Sequence, residues 1–183
     1  DHGRQILETV RQGQIGELKL VEVECTGWDI INAGIHWLNY ALVLAGGEQA
    51  AWVMAACDTR TRTYRDQMQV ETMAVTYVQL RDGKRIVMHS VDEAHVSEEG
   101  AGTLFRLVGT GGMLEFYGWE LRYRLLNGAH PSGEVVKVSA GPQTGHQRHL
   151  EHMALQIDRG TPDYAVAESS LAALEVVEAA YLS

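Results

Sequence analysis

Near the start of the chain the apolar residues Ile6, Leu7 and Val10 recur three and four positions apart, the spacing of one helix face, and Gly13 follows as a stop signal. From Gly16 the period changes. In GELKLVEVECTGW the residues Leu18, Leu20, Val21, Val23 and Cys25 stand among Lys19, Glu22 and Glu24, the alternation of a strand. AGIHWLNYALVLAGG from Ala33 returns to helical spacing for about three turns and ends at Gly46-Gly47. AAWVMAACDTRTRTY from Ala50, MQVETMAVTYVQL from Met68 and KRIVMHSV from Lys84 are rich in β-branched and aromatic residues, and Asp82-Gly83 between the last two marks a hairpin. Further short strands are predicted from Thr103, Gly112, Glu120 and Glu134. The helical period reappears from His146 and again from Ala165, on either side of a Gly160-Thr161-Pro162 break.

Strands gathered in the middle, with helices before and after, predict an α+β fold: a largely antiparallel, open-faced sheet with helices packed on one face. In the segment from Met68, one side carries Val70, Thr72, Ala74, Thr76 and Val78 and the other Glu71, Met73, Val75 and Tyr77. Neither side is simply polar. The face left uncovered by helices is therefore expected to meet another copy of the chain, giving a homo-oligomer.

A chain of 183 residues fits one domain with a core of its own, and 45% hydrophobic with 21% charged residues is an ordinary globular composition. A net charge of -9 with fifteen scattered Lys and Arg argues against nucleic acid, whose phosphates need a basic stripe. No apolar run approaches the ~20 residues of a membrane span, and residues 1–9 hold no signal-like segment, so a soluble, cytoplasmic protein is expected. Cys25 and Cys57 lie in apolar stretches without Cys-x-x-Cys spacing and read as reduced core residues, a buried disulfide being the alternative. The chain opens on Asp1, directly into a helix, which suggests a fragment.

His36 stands near a helix start, where an imidazole can be a general acid/base or a structural residue. His146, His149 and His152 lie three residues apart on one side of a helix, but no carboxylate-rich segment partners them. They read as solvent- or substrate-facing rather than as metal ligands. GTGG from Gly109 lacks the G-x-G-x-x-G spacing and leads into a strand, so it reads as a hairpin turn. Without any other dinucleotide fingerprint, the chain alone is expected to hold no NAD(P). Trp28, Trp37, Trp52 and Trp119 read as core or interface, with Trp37, next to His36, a candidate for lining a pocket. Arg60, Arg62 and Arg65 read as a solvated loop.

Four passages carry a family resemblance. In NAGIHWLN the residues Asn32, Gly34, His36 and Asn39 occupy the positions of D-x-G-x-H-x-x-D. RQGQIGELKLVEV, LVGTGGMLEF and the closing LEHMALQIDRGTPDYAVAESSLAALEVVEAAYLS follow in order. Together they make nearly the whole chain resemble the C-terminal half of the Gfo/Idh/MocA oxidoreductases (glucose-fructose oxidoreductase, inositol dehydrogenase and relatives). The resemblance implies a dihydrodipicolinate reductase-like C-terminal fold. Residues 1–15 would end the linking helix from a missing Rossmann domain, and residues 16–183 would form a substrate-binding and oligomerisation domain. It implies an NAD(P)-dependent oxidoreductase acting on a sugar, polyol or related hydroxy compound, with NAD or NADP held mainly by the missing domain, which also contributes a lysine. His36 and Asn32 take the catalytic positions, and Asp29, Trp37, His146 and His149 are the candidates for the substrate side. The departure is Asn32, where the family has Asp: an amide orients or hydrogen-bonds but cannot take a proton. By the resemblance alone, Asn32→Asp should be tolerated or improve turnover, with Asp29 a possible source of the missing carboxylate. The alternative is a non-catalytic ligand-binding or assembly domain. An upstream G-x-G-x-x-G unit would favour the enzyme, and a gene starting near Asp1 the alternative.

Overall fold

The alternation that begins at Leu18 becomes an inner strand of an eight-stranded sheet. A computed structural model describes residues 2–27, 29–58, 60, 63–92 and 102–183; Trp28 and Arg62 lie outside the described residues. The chain runs α1 (His2–Arg11), β1 (Leu18–Thr26), a π-helical turn (Ile30–Gly34) continuing into α2 (Ile35–Leu44), then β2 (Ala50–Cys57), β3 (Thr63–Arg65) and β4 (Met68–Val70). It goes on through β5 (Met73–Leu80), β6 (Arg85–Val91), β7 (Thr103–Gly109), β8 (Gly112–Tyr117), β9 (Arg122–Asn127) and β10 (Glu134–Lys137). It ends in α3 (Gly145–Arg159) and α4 (Ala165–Leu182). The sheet order is β10-β9-β8-β7-β1-β6-β5-β2, antiparallel throughout except where β1 lies parallel to β6. The mostly antiparallel sheet with helices on one face is the architecture that the sequence predicts.

Strand parity builds the core. Val21 and Val23 of β1 sit opposite Leu107 and Phe105 of β7 on one side and Ile86 and Met88 of β6 on the other, all buried on one face. Leu38, Ala41 and Leu42 of α2 join that layer, as do Ala173, Val176 and Val177 of α4. Ile6 of α1 joins it too, and Thr9 shares a hydrogen bond of 2.9 Å with Tyr123 of β9. The opposite face carries Leu20, Val75, Tyr77 and Val87. Trp52 stacks on Tyr77 at 5.0 Å, and Met54 is 57% exposed beside them. Arg106 crosses this face to Glu24 at 2.8 Å and Glu115 at 2.9 Å. Among the described residues no element covers it.

Three local features differ from the sequence reading. The strand expected from Met68 to Leu80 is split: β4 pairs with β3 in a separate hairpin that turns at Asp66 (φ 48) and Gln67 (φ 68). The break falls at Glu71, which is buried and accepts hydrogen bonds from Ile30 N (2.7 Å) and Tyr181 OH (3.0 Å), so the chain is pulled toward the π-helical turn. The helix expected at Ala33 starts three residues earlier, because Asp29 caps it. Finally, both thiols are free, but only Cys25 is a core residue, its thiol pushed up by burial. Cys57 is exposed because β2 is the edge strand.

GTGG is a hairpin turn held by close packing. A Cβ on Gly109 would lie 2.1 Å from the Ile15 carbonyl oxygen. The amides of Thr110 and Gly111 donate to Glu17 O (3.0 Å) and Ile15 O (2.8 Å), so they are not turned toward a phosphate.

Candidate functional site

The site grows from the turn between β1 and α2. Asp29, whose side chain is 0% exposed, accepts a hydrogen bond from the backbone N–H of Asn32 at 2.9 Å. The Asn32 amide nitrogen faces both carboxylate oxygens, at 2.8 and 2.9 Å. Arg65, from the β3–β4 hairpin, places Nε 3.1 Å from Asp29 Oδ2 and donates through Nη2 to Gly27 O (3.0 Å) and Asp92 Oδ1 (2.5 Å). A buried carboxylate is tolerated when it is paired and hydrogen-bonded in this way. Glu71 holds the neighbouring amide of Ile30, and burial together with the Glu71 charge pushes the Tyr181 phenol up, keeping it a protonated donor. The five-residue π-turn is thereby fixed at its first residue and at its cap.

One turn beyond Asn32, His36 sits exposed in the first turn of α2, at the rim of a cavity of about 630 Å³. Trp37 and Tyr40 of α2, Trp119 and Leu121 of the β8–β9 connection, and Arg148 of α3 form much of its wall. Trp119 is 85% exposed and lies 5.0 Å from Trp37, tilted by 59°. Gly118 is required there, since a Cβ would stand 2.8 Å from the Trp37 ring. Burial raises the Tyr40 phenol to about 12, which makes it a neutral donor at ordinary pH, and burial pushes His2, on the wall from α1, down toward the neutral imidazole. The wall thus joins aromatic faces to polar groups from His36, Tyr40, Gln143, Thr144 and Arg148, an arrangement that can hold a small molecule with both an apolar face and hydrogen-bonding groups.

The structure brings Asp29 and Asn32 into one hydrogen-bonded unit and puts His36 and Trp37 together on the cavity. It seals Asp29 behind Asn32, where the carboxylate cannot touch a substrate directly. His146 and His149 are exposed on α3 outside the cavity wall, because Gly145 and Arg148 are the α3 residues turned toward it. Asn39 accepts from Ser169 of α4 and so helps dock that helix. Tyr40, Trp119, Arg148, Arg65 and Glu71 were not singled out as site residues from sequence. Tyr40, four residues after His36 on the same helix face, was within reach of periodicity. Arg65 comes from β3 and Glu71 from the break between β4 and β5, far along the chain, and neither carries a local signal. Among the described residues no cluster of three or more His, Cys, Asp or Glu forms a metal site.

The sequence profile of a family described as "Oxidoreductase family, C-terminal alpha/beta domain" matches residues 8–183. No curated protein sequence matches the chain. Among solved structures, the aldose-aldose oxidoreductase of Caulobacter crescentus, complexed with glycerol, superposes with a TM-score of 0.78 at 20% identity, covering 99% of this chain and 57% of that one. An oxidoreductase of Agrobacterium radiobacter, in complex with NAD+, L-tartaric acid and magnesium, gives 0.74 at 18% identity, covering 100% and 59%. KijD10, a 3-ketoreductase of Actinomadura kijaniata in complex with TDP-benzene and NADP, gives 0.75 at 18% identity, covering 97% and 56%. The chain thus spans less than two thirds of each of these proteins.

Proposed function

Because the chain belongs to the oxidoreductase family C-terminal alpha/beta domains, we propose that it is the substrate-side domain of an NAD(P)-dependent oxidoreductase acting on a sugar, polyol or related hydroxy compound. The observation that carries this reading is His36 on the rim of an aromatic cavity, one turn after an oriented Asn32. Oxidising a hydroxyl leaves a proton to remove, and an accessible imidazole with a free ring nitrogen suits that task. Trp37 and Trp119 offer ring faces, and the neutral Tyr40 phenol offers a hydroxyl for orientation. The glycerol, L-tartaric acid and NADP of the similar structures support the choice of substrate class and cofactor.

The described residues do not fit a dinucleotide: they offer no glycine-rich strand-to-helix turn, and the GTGG amides are engaged. NAD or NADP in the intact protein would therefore be held mainly by a preceding Rossmann domain, with residues 1–15 ending the helix that links it to residues 16–183. Calorimetric titration of the 183-residue chain with NAD+ and NADP+ should show no appreciable binding; micromolar affinity for either would sink this division of labour. The function itself is tested by assaying the intact protein for reduction of NAD+ or NADP+ with aldoses, polyols and hydroxy acids. Inactivity with all of them would favour the second reading, a non-catalytic ligand-binding or assembly domain, which Asn32 in place of the family's Asp supports.

The uncovered sheet face, with Trp52, Met54, Val75 and Val87 on it, supports self-association into a homo-oligomer, most simply a dimer. Light scattering over a range of concentrations should give at least twice the protomer mass, whereas Trp52→Glu with Met54→Glu should shift it to the protomer. A wild-type protomer mass at every concentration would refute this interface. None of the described helices is long and apolar enough to cross a membrane. A cytoplasmic location is part of the proposal, on the strength of the two free thiols.

A further inference from the structure

We propose that Asp29 is a positioning residue: by engaging the amide nitrogen of Asn32 with both carboxylate oxygens, it turns Asn32 Oδ1 outward as a fixed, uncharged acceptor for a substrate hydroxyl beside His36. The proposal rests on the oxidoreductase reading above and assigns a role that no resemblance supplies.

A carboxylate only accepts, so the group within 2.8 and 2.9 Å of its two oxygens is the NH2 of the amide. The oxygen of a planar amide then points away from Asp29, and His36 follows one helical turn later in the chain. The two contacts hold the amide, and the backbone N–H of the same residue, bound to Asp29 Oδ1 at 2.9 Å, keeps the carboxylate in place before it. Asp29 is held in turn by Arg65 at 3.1 Å, and Arg65 by Asp92 and the Gly27 carbonyl. The negative charge of Asp29 is sealed from solvent and countered by a guanidinium, and the partly exposed residue in front of it, Asn32, carries an acceptor without a charge.

This geometry reverses the expectation drawn from resemblance alone. Asn32→Asp would set a second carboxylate against Asp29 at hydrogen-bond distance, and two carboxylates cannot share such a site without one of them protonating or moving away. The double exchange Asp29→Asn with Asn32→Asp keeps one donor and one acceptor in contact and leaves an equally good helix cap.

The test compares wild type, Asp29→Asn, Asn32→Asp and the double exchange in the intact protein. Turnover is assayed on D-glucose, myo-inositol and L-tartrate with NAD+ and NADP+, and the side-chain amide protons of Asn32 are followed by 15N-resolved NMR. In wild type the Asn32 amide protons should exchange slowly with solvent, and Asp29→Asn should abolish that protection. Asp29→Asn should raise KM by about tenfold, the worth of one hydrogen bond, with a smaller change in kcat. Asn32→Asp should be worse than wild type, and the double exchange should recover most of the lost KM while adding a limb to the pH–rate profile in the carboxylate range. Fast exchange of the wild-type amide overturns the proposal, as does an unchanged KM in a folded Asp29→Asn protein or an Asn32→Asp enzyme as good as wild type. If wild type turns over none of the probes, the oxidoreductase reading falls. The wild-type amide exchange, which needs neither substrate nor variant, still decides whether Asp29 locks Asn32.

Discussion

His36→Ala in the intact protein is expected to lower turnover by roughly 10²–10⁴-fold, the usual contribution of a positioned acid/base group. The imidazole is exposed at the cavity rim, and among the described residues no side chain hydrogen-bonds to it, so its removal should leave the thermal midpoint within a few degrees of wild type. Cofactor affinity should also be unchanged, since the described residues offer no site that fits the dinucleotide. The measurement is a pH–rate profile of wild type and variant alongside a thermal scan. Near-normal turnover with an unaltered profile would return His36 to the role of a residue near a helix start and strengthen the non-catalytic reading.

The second large effect is on stability. Phe105→Ala should cost about 3–5 kcal/mol of unfolding free energy, the range for removing a buried aromatic ring. Phe105 is 0% exposed, stacks on Phe116 with centroids 5.0 Å apart, and meets Trp37 and Tyr40 edge-on at 5.7 and 5.2 Å. Because Trp37 and Tyr40 also line the cavity, the void would open directly beneath its wall, and under the proposed function substrate affinity should fall along with stability. Urea unfolding of the 183-residue chain measures the first effect as a drop in the midpoint with little change in slope. A loss under about 1 kcal/mol would mean that the aromatic cluster repacks around the gap.

Most of the fold was legible because its signals are local. The alternation from Leu18, the Asp82-Gly83 turn and the two closing helical stretches each report a period or a turn that neighbouring residues determine. The placement of Asn32 and His36 one turn apart was legible for the same reason. The rest depends on contacts between distant parts of the chain. Glu71 interrupts a plausible strand to bind the Ile30 amide 41 residues away, and Arg65, read from sequence as part of a solvated loop, lies instead on β3 and pairs with Asp29. The chemistry that decides what Asn32 does is set by Asp29, three residues earlier, but its meaning appears only once Arg65 and burial are in place. Nor does the histidine spacing in α3 say which side of that helix faces the cavity; the structure turns Arg148 toward it instead.

The parallel pairing of β1 with β6, and its antiparallel pairing with β7, also sets the order in which the molecule can assemble. β1 is the first strand of this sheet to leave the ribosome, yet its two neighbours are residues 85–91 and 103–109. At ordinary synthesis rates that delay is on the order of ten seconds. Until then Val21, Val23 and Cys25 have no sheet partner, and closing such long-range pairings is intrinsically slow. This inner strand thus waits long for its partners on the nascent chain, and a chaperone that binds unpaired apolar segments would meet it before any other strand of this sheet.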